Sequence, residues 1–292
     1  LETAENVKML QAIVLGYRNF RTTTQLCLES LLNSLDRTDF KLTVIDNGSS
    51  DDAGFLQQEF VKSYPSIESL VLSDNLGYAG GMNYAAKTTN AKWLLLLGSD
   101  TILSRGTIDT LCELLPTLDA RIGIVSPVTN EAGNCQGLGF SSQDSKSVFS
   151  EYAKQAKLPK TIILPIYRAD FFCVAIRKSL WDQLNGLDLS YGRGYYEDFD
   201  FCMRAKSLGY TTVMIENIFV YHAGSASFKN DRNQKKLIKN NKKIFIQKFP
   251  HAELRHRRLD HLKLLEQYIQ STSQRFELKA IQERVIWRLK VI

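Results

Sequence analysis

The sequence predicts an α/β protein: a mixed, mostly parallel sheet flanked by helices, with a basic, mainly helical extension after it. Three observations carry this prediction. Short apolar runs alternate with stretches of helical periodicity through the first hundred residues. One run, Trp93 to Leu97, is apolar at every position, as a strand covered on both faces requires. Tyr17, Asp46 and Asp100 stand just beyond the carboxyl ends of such runs, where open α/β sheets bind their ligands.

Taken in order, Gln11 to Leu15 reads as the first strand and stops at Gly16-Tyr17-Arg18-Asn19. Leu26, Leu28, Leu31, Leu32 and Leu35 give the helix that follows its buried stripe. Lys41 to Ile45 is a second strand. The polar cluster Asp46 to Asp52 suits a turn and a helix start before a helix over Phe55 to Tyr64. Ser69 to Leu72 is a third strand, and Asn75-Leu-Gly-Tyr-Ala-Gly-Gly-Met-Asn83 leads into another helix. The fourth strand is Trp93 to Leu97, ending at Gly98-Ser99-Asp100. Residues 129–160, with several Gly and many Ser, read as a loop-rich excursion. Phe171 to Ile176 is then a strand and Arg177 to Leu184 a helix. A glycine-flexed loop from Gly192 opens a helix bearing Glu197, Asp198 and Asp200. Thr211 to Met214 and Phe219 to Tyr221 read as two short strands, the second ending at His222. From about residue 229 the pattern is helical, with a hinge at Gln270 to Gln274 and a last helix over Phe276 to Ile292.

The 292 residues are 44% hydrophobic and 23% charged, which excludes a wholly disordered or collagen-like chain. That length suits one large domain, expected over 1–228, with an extension over 229–292. The 5 cysteines (Cys27, Cys112, Cys135, Cys173 and Cys202) form no C-x-x-C pair. This argues against a disulfide framework or structural zinc and for ordinary thiols in a reducing compartment. No apolar run approaches the roughly 18 residues of a membrane span. No basic-then-apolar leader opens the chain either, so nothing there reads as a secretory signal. Residue 1 is Leu rather than Met, so the chain is expected to be a piece of something longer.

The net charge of +6 is unevenly spread. Between Lys229 and Lys263 lie 12 basic and 3 acidic residues, so the rest of the chain is slightly acidic. Leu237, Ile238, Ile244, Phe245 and Phe249 recur there at helical spacing, which makes an amphipathic helix with a basic face. A merely solvated face competes with contact to an anionic lipid surface or a lipid-linked diphosphate. Nucleic acid ranks below both, because no nucleic-acid-binding motif accompanies the charge.

Three groups of residues could carry chemistry. Asp100 follows an apolar strand, where its charge is costly unless it meets a cation in a cleft; a turn or helix-cap role competes. His222 is placed similarly, and a carboxylate with an imidazole suits Mg²⁺ or Mn²⁺; a structural histidine is the plainer reading. The adjacent Glu197 and Asp198 at a helix start could supply a general base, or could simply cap the helix. Tyr195, Tyr196, Phe199 and Phe201 around them offer stacking surface for sugar rings, or core.

The ordered set IVLGYRN, VIDNGSSDD, NLGYAGGMN, LLGSD, YYEDFDFCMRAKSLG and VYHAGSASF resembles the inverting nucleotide-sugar glycosyltransferases of family 2, which have the Rossmann-like GT-A fold. The resemblance runs from about Ala12 to Phe228 and is nearest to bacterial polysaccharide and rhamnosyl-type transferases. It implies that Leu15, Gly16, Tyr17 and Asp46 hold the nucleotide base, and that Asn75, Gly80 and Asn83 line the nucleotide-sugar site. The metal-binding D-x-D motif falls on Gly98-Ser99-Asp100, of which only the final acid is present. By the same resemblance Asp100 and His222 are metal ligands for Mg²⁺ or Mn²⁺, Asp198 is the catalytic base, and Tyr196 and Glu197 meet the acceptor. Lys229 and Arg232 would close over the diphosphate. The implied partners are a UDP- or dTDP-linked sugar donor and a glycan or polyprenyl-diphosphate-linked acceptor. The implied place is the cytoplasm, peripheral on the inner face of the membrane through 229–263. Two other readings stay open. A sugar nucleotidyltransferase would want a glycine-rich phosphate loop where Gly16-Tyr-Arg-Asn19 has one glycine. A non-catalytic glycan-binding subunit would explain the incomplete D-x-D.

Overall fold

The computed structural model describes residues 7–155, 161–224, 233–254, 259–264, 266 and 288. Lys229, Arg232, the basic run at 255–258, the hinge expected at 270–274 and, apart from position 288, the helix expected over 276–292 lie outside the described residues.

The chain begins with β1 (Leu10–Gly16), α1 (Thr24–Leu31), β2 (Phe40–Asp46), α2 (Ala53–Val61), β3 (Ile67–Val71), α3 (Gly77–Ala86) and β4 (Trp93–Gly98). It continues with β5 (Thr101–Leu103), α4 (Thr107–Leu114), β6 (Ile122–Val128), α5 (Ser145–Gln155), β7 (Ile163–Pro165), β8 (Cys173–Arg177) and α6 (Lys178–Gln183). Last come α7 (Glu197–Ser207), β9 (Thr211–His222) and α8 (Gln234–Lys248). The described strands form one nine-stranded sheet in the order β3-β2-β1-β4-β8-β6-β9-β5, with β7 also on β9. This is the mixed, mostly parallel sheet with helices on its faces that the sequence predicts.

Alternation of side chains across the sheet explains the apolar runs. On β1, Leu10, Ala12 and Val14 face a core built with Cys27, Leu28 and Leu31 of α1 and Ile108 and Leu111 of α4. Ile13 and Leu15 face the opposite core, filled by Ala79, Met82 and Ala85 of α3 and Phe201 and Cys202 of α7. Trp93, Leu95 and Leu97 join the first core, and Leu94 and Leu96 the second. All five cysteines are buried and none is in a disulfide.

The parallel register of β2, β1 and β4 brings Asp46, Gly16 and Gly98 to one edge. β8 runs antiparallel to β4, pairing Cys173 with Leu97, so its beginning reaches that same edge. β5 pairs antiparallel with the end of β9 and sets Thr101 opposite His222.

Two expectations change. The two short strands expected at 211–221 are one twelve-residue strand, β9. Its register against β6 jumps from Ile215 to Phe219, so a bulge absorbs the polar Glu216 and Asn217 that break the apolar pattern. The excursion at 129–160 contains α5, whose Val148 and Tyr152 are buried, with Tyr152 stacked on Phe219 at 4.5 Å. Among the described residues no helix is long and apolar enough to cross a membrane.

Candidate active site

A cleft of about 810 Å³ opens at the edge defined by Gly98. Leu15, Tyr17, Asn75, Ser99 and Asp100 line it from the parallel half of the sheet. Tyr196, Glu197, Asp198 and His222 line it from the second half of the chain. Nine of the expected site residues therefore share one cavity, although in sequence they lie as far apart as Leu15 and His222.

Gly16, Asp46, Gly80 and Asn83 are not among the residues lining the cleft. The Asp46 carboxylate is buried in its own turn, accepting from the Ser49 N–H at 3.1 Å and from the Ser49 hydroxyl. Asn83 clasps Leu187, donating to its carbonyl at 2.8 Å and accepting from its N–H at 2.9 Å. Gly80 faces Leu76, whose Cβ would lie 2.7 Å from an added Cβ, and Gly16 packs equally close to Thr24.

Asp100 and His222 meet through backbone pairing. The Ala223 N–H donates to the Asp100 carbonyl at 2.9 Å. Asn130 grips the His222 backbone from both sides, accepting from its N–H at 2.7 Å and donating to its carbonyl at 2.9 Å. The imidazole lies flat on Phe172, with ring centres 5.2 Å apart. Its Nε2 is 3.5 Å from the Asp100 Oδ2, and Nδ1 is 3.1 Å from the Glu131 carbonyl. Burial opposes protonation of this ring, but the Asp100 carboxylate outweighs it and raises the pKa. Gly98 stands where D-x-D has its first acid; an added Cβ there would lie 2.9 Å from the Asp100 Oδ1. A side chain at 98 would thus crowd Asp100 out of its present position.

One carboxylate and one imidazole at a cleft wall fit a divalent cation that takes its other ligands from a bound diphosphate or water, with the nitrogen donor favouring Mn²⁺ over Mg²⁺. Among the described residues no cluster of three or more His, Cys, Asp or Glu could cage an ion. The donor set is therefore that of an open, ligand-shared site.

The acids Glu197 and Asp198 open α7 directly after a strained turn. Tyr195 and Tyr196 have φ of 72° and 79°, a left-handed geometry that costs bulky residues about 1–3 kcal/mol each. Tyr196 is the residue before α7, and no side chain caps the helix there. Glu197 is buried, and its Oε2 has no hydrogen-bond partner among the described residues. Burial first, and the neighbouring Asp198 charge second, raise its pKa far above the usual carboxylate range. The half-buried Asp198 accepts from the Phe199 N–H at 2.7 Å. Burial, then the Asp170 carboxylate, push its pKa up to about 6, against the pull of Arg168. Of the surrounding aromatics, Phe201 is core and Tyr195 and Tyr196 form cleft wall.

Several cleft residues were not foreseen. Asn47 donates to the Gly77 carbonyl at 3.1 Å and accepts from the Leu76 N–H at 3.1 Å, fixing the loop that carries Asn75. Gly77 (φ 71°) lets the Gly192 carbonyl pass within 2.4 Å of where a Cβ would sit, joining the two halves of the cleft. Tyr78 continues the junction, donating through its hydroxyl to the Phe171 carbonyl at 2.7 Å and through its N–H to the Arg193 carbonyl at 3.2 Å. Arg168 and Asp170 form a 2.8 Å ion pair in the cleft. The visible signal for them was a charged pair immediately before an apolar strand.

A mixed α/β sheet with this cleft at its ligand edge is the arrangement of GT-A glycosyltransferases. Two solved structures share it. A mannosyltransferase from Pyrobaculum calidifontis, solved with GDP-Man and Mn²⁺, superposes with a TM-score of 0.60 at 14% identity, covering 98% of this chain and 75% of that one. GalNAc-T7, solved with UDP, GalNAc and Mn²⁺, gives 0.57 at 11% identity, covering 85% of this chain and 57% of that one. The sequence profile of Glycosyl transferase family 2 matches residues 13–182, and the chain belongs to that family. Uncharacterized protein Rv1525 of Mycobacterium tuberculosis is 28% identical over 169 residues, covering 55% of this chain and 60% of that protein. The teichoic acid poly(glycerol phosphate) polymerase of Staphylococcus epidermidis is 27% identical over 117 residues, 40% of this chain and 16% of the polymerase. The chain thus spans less than two thirds of the length of these curated relatives.

Proposed function

We propose that the chain is an inverting glycosyltransferase that moves a sugar from a UDP- or dTDP-linked donor to a hydroxyl of a glycan or polyprenyl-diphosphate-linked acceptor. The observation that carries this reading is one cleft whose lining brings together Asp100, His222 and Asp198. Leu15, Tyr17 and Asn75 form the nucleotide wall, with Asn47 holding the loop of Asn75. Asp198, ionised at neutral pH, takes the proton of the acceptor hydroxyl as that oxygen bonds to the anomeric carbon. The bond to the diphosphate breaks on the opposite side, which inverts the anomeric configuration. Glu197, protonated, donates a hydrogen bond to the acceptor, and Tyr196 packs against it. Asp100 and His222 would hold Mn²⁺ or Mg²⁺, which neutralises charge on the departing diphosphate. Lysines on the exposed side of α8 favour work beside an anionic membrane surface, on its cytoplasmic face.

A thermal-shift panel of nucleoside diphosphates and nucleotide sugars with Mn²⁺ tests the reading and names the base. Stabilisation by UDP or dTDP and their sugars, with nucleoside diphosphate as the product, is the expected result. The absence of stabilisation by any nucleotide would refute it. The missing first acid of D-x-D favours one competitor, a non-catalytic glycan-binding subunit, in which nucleotide sugars bind but are neither transferred nor hydrolysed. Release of pyrophosphate would instead indicate a nucleotidyltransferase.

A further inference from the structure

The segment that leads into Glu197 and Asp198 is contacted by a helix, α8, that follows it by some forty residues. On α8, positions 234, 241, 245 and 248 fall on one face at helical spacing. Gln234 donates to the Tyr195 hydroxyl at 2.5 Å. Phe245 is fully buried and stacks on Phe199 with ring centres 4.3 Å apart. Lys248 pairs with Asp188 at 2.6 Å and with the buried Asp200.

At the centre of this face is Asn241, 2% exposed. Its Nδ2 lies 2.7 Å from the Tyr191 carbonyl, 2.8 Å from that of Gly194 and 3.0 Å from that of Tyr195. An amide has two N–H donors, so three carbonyls share them. All three acceptors belong to the 191–195 segment, which contains Gly192 (φ 66°), Gly194 (φ 151°) and Tyr195 (φ 72°). Buried carbonyls need donors, and this amide supplies them from outside the segment.

We propose that Asn241 is a positioning residue: its amide pins the left-handed 191–195 backbone and so sets where Glu197 and Asp198 stand in the cleft. The role in turnover rests on the transfer reading above. The chemistry specifies an amide. Aspartate in its place would aim a carboxylate at three carbonyls, and leucine would take the amide donor away from them. Neither change touches the nucleotide wall formed by Leu15, Tyr17 and Asn75.

The test compares Asn241→Asp, Asn241→Leu and the milder Asn241→Ser with Asn240→Ala, on the exposed side of the same turn. Three measurements are needed. Calorimetry with UDP, dTDP and GDP plus Mn²⁺ counts competent nucleotide sites. Turnover of the nucleotide sugars is expressed per competent site. Hydrogen exchange follows the amides of 191–200. The expected result for the Asn241 variants is nucleotide affinity within about twofold, kcat per site lowered at least tenfold with donor KM little changed, and faster exchange confined to 191–200. Asn240→Ala should match the unmodified protein throughout. Unchanged kcat per site in the Asn241 variants overturns the positioning role, as does unchanged exchange. Loss of activity that only tracks loss of nucleotide sites also overturns it, because that is simple unfolding. If the unmodified protein turns over no nucleotide sugar, the transfer reading falls by itself. Exchange then decides whether Asn241 pins the segment: faster exchange supports the pin, and unchanged exchange removes it.

Discussion

Replacing Asp198 with Asn and following rate against pH is the sharpest test of the chemistry assigned to the cleft. The substitution preserves shape and removes the proton acceptor, so turnover should fall at least ~100-fold while nucleotide binding holds. The unmodified protein makes its own prediction. With a pKa of about 6, Asp198 is about nine-tenths ionised at pH 7 and about one-tenth at pH 5, so kcat should drop roughly tenfold across that interval. A carboxylate at its usual ~3.9 would still be about nine-tenths ionised at pH 5 and would show almost no drop. His222 also has a raised pKa, so a second perturbation must assign the fall. Asp170 is the leading charge that raises Asp198, and Arg168 the charge that opposes it. Asp170→Asn should move the acid limb to lower pH, and Arg168→Gln should move it to higher pH. Initial rates over pH 4.5–8 at saturating donor and Mn²⁺ supply the data. Near-normal turnover by Asp198→Asn, or an acid limb that ignores both neighbours, would remove Asp198 from the role.

Asp100→Ala and His222→Ala should each weaken cation-dependent nucleotide binding at least tenfold by calorimetry, and full activity in excess chelator would refute the pairing of these residues with a metal. Glu197→Gln should stabilise the protein at pH 9 and change little at pH 4. The reason is linkage: a carboxyl whose pKa rises on folding to about 8 favours the folded state while protonated and loses that contribution as pH climbs from ~4.3 through 8. Thermal unfolding at the two pH values checks it, and an equal or opposite shift at pH 9 would show that Glu197 is not a desolvated acid. Reversing the exposed Lys235, Lys236 and Lys239 to Glu should abolish flotation with anionic liposomes and leave neutral liposomes unaffected; equal flotation with both would remove the membrane surface from the account.

The parts of this architecture that could be read from sequence are those where periodicity and placement agree. The apolar run of β4 announces a doubly covered strand, and Asp100 just beyond it announces the cleft. Asp46 has the same signature, yet its carboxylate is consumed by Ser49 in its own turn, a distinction that only coordinates reveal. Arg168 and Asp170 were hidden because they precede their strand. They reach the ligand edge only because β8 runs against β4, and no local pattern encodes that reversal. Asn241 was invisible for another reason: among the lysines of α8 a polar residue reads as solvated, whereas its amide serves three carbonyls on a neighbouring segment.

The docking of α8 carries a consequence for how such proteins can diverge. The family profile match ends at 182, before either acid and well before α8. On the reading proposed above, the nucleotide wall at Leu15, Tyr17 and Asn75 and the base at Asp198 lie in separate lengths of chain, joined at Gly77 and Tyr78. On that same reading, substitutions on one side of a surface helix would retune speed while leaving the choice of nucleotide alone.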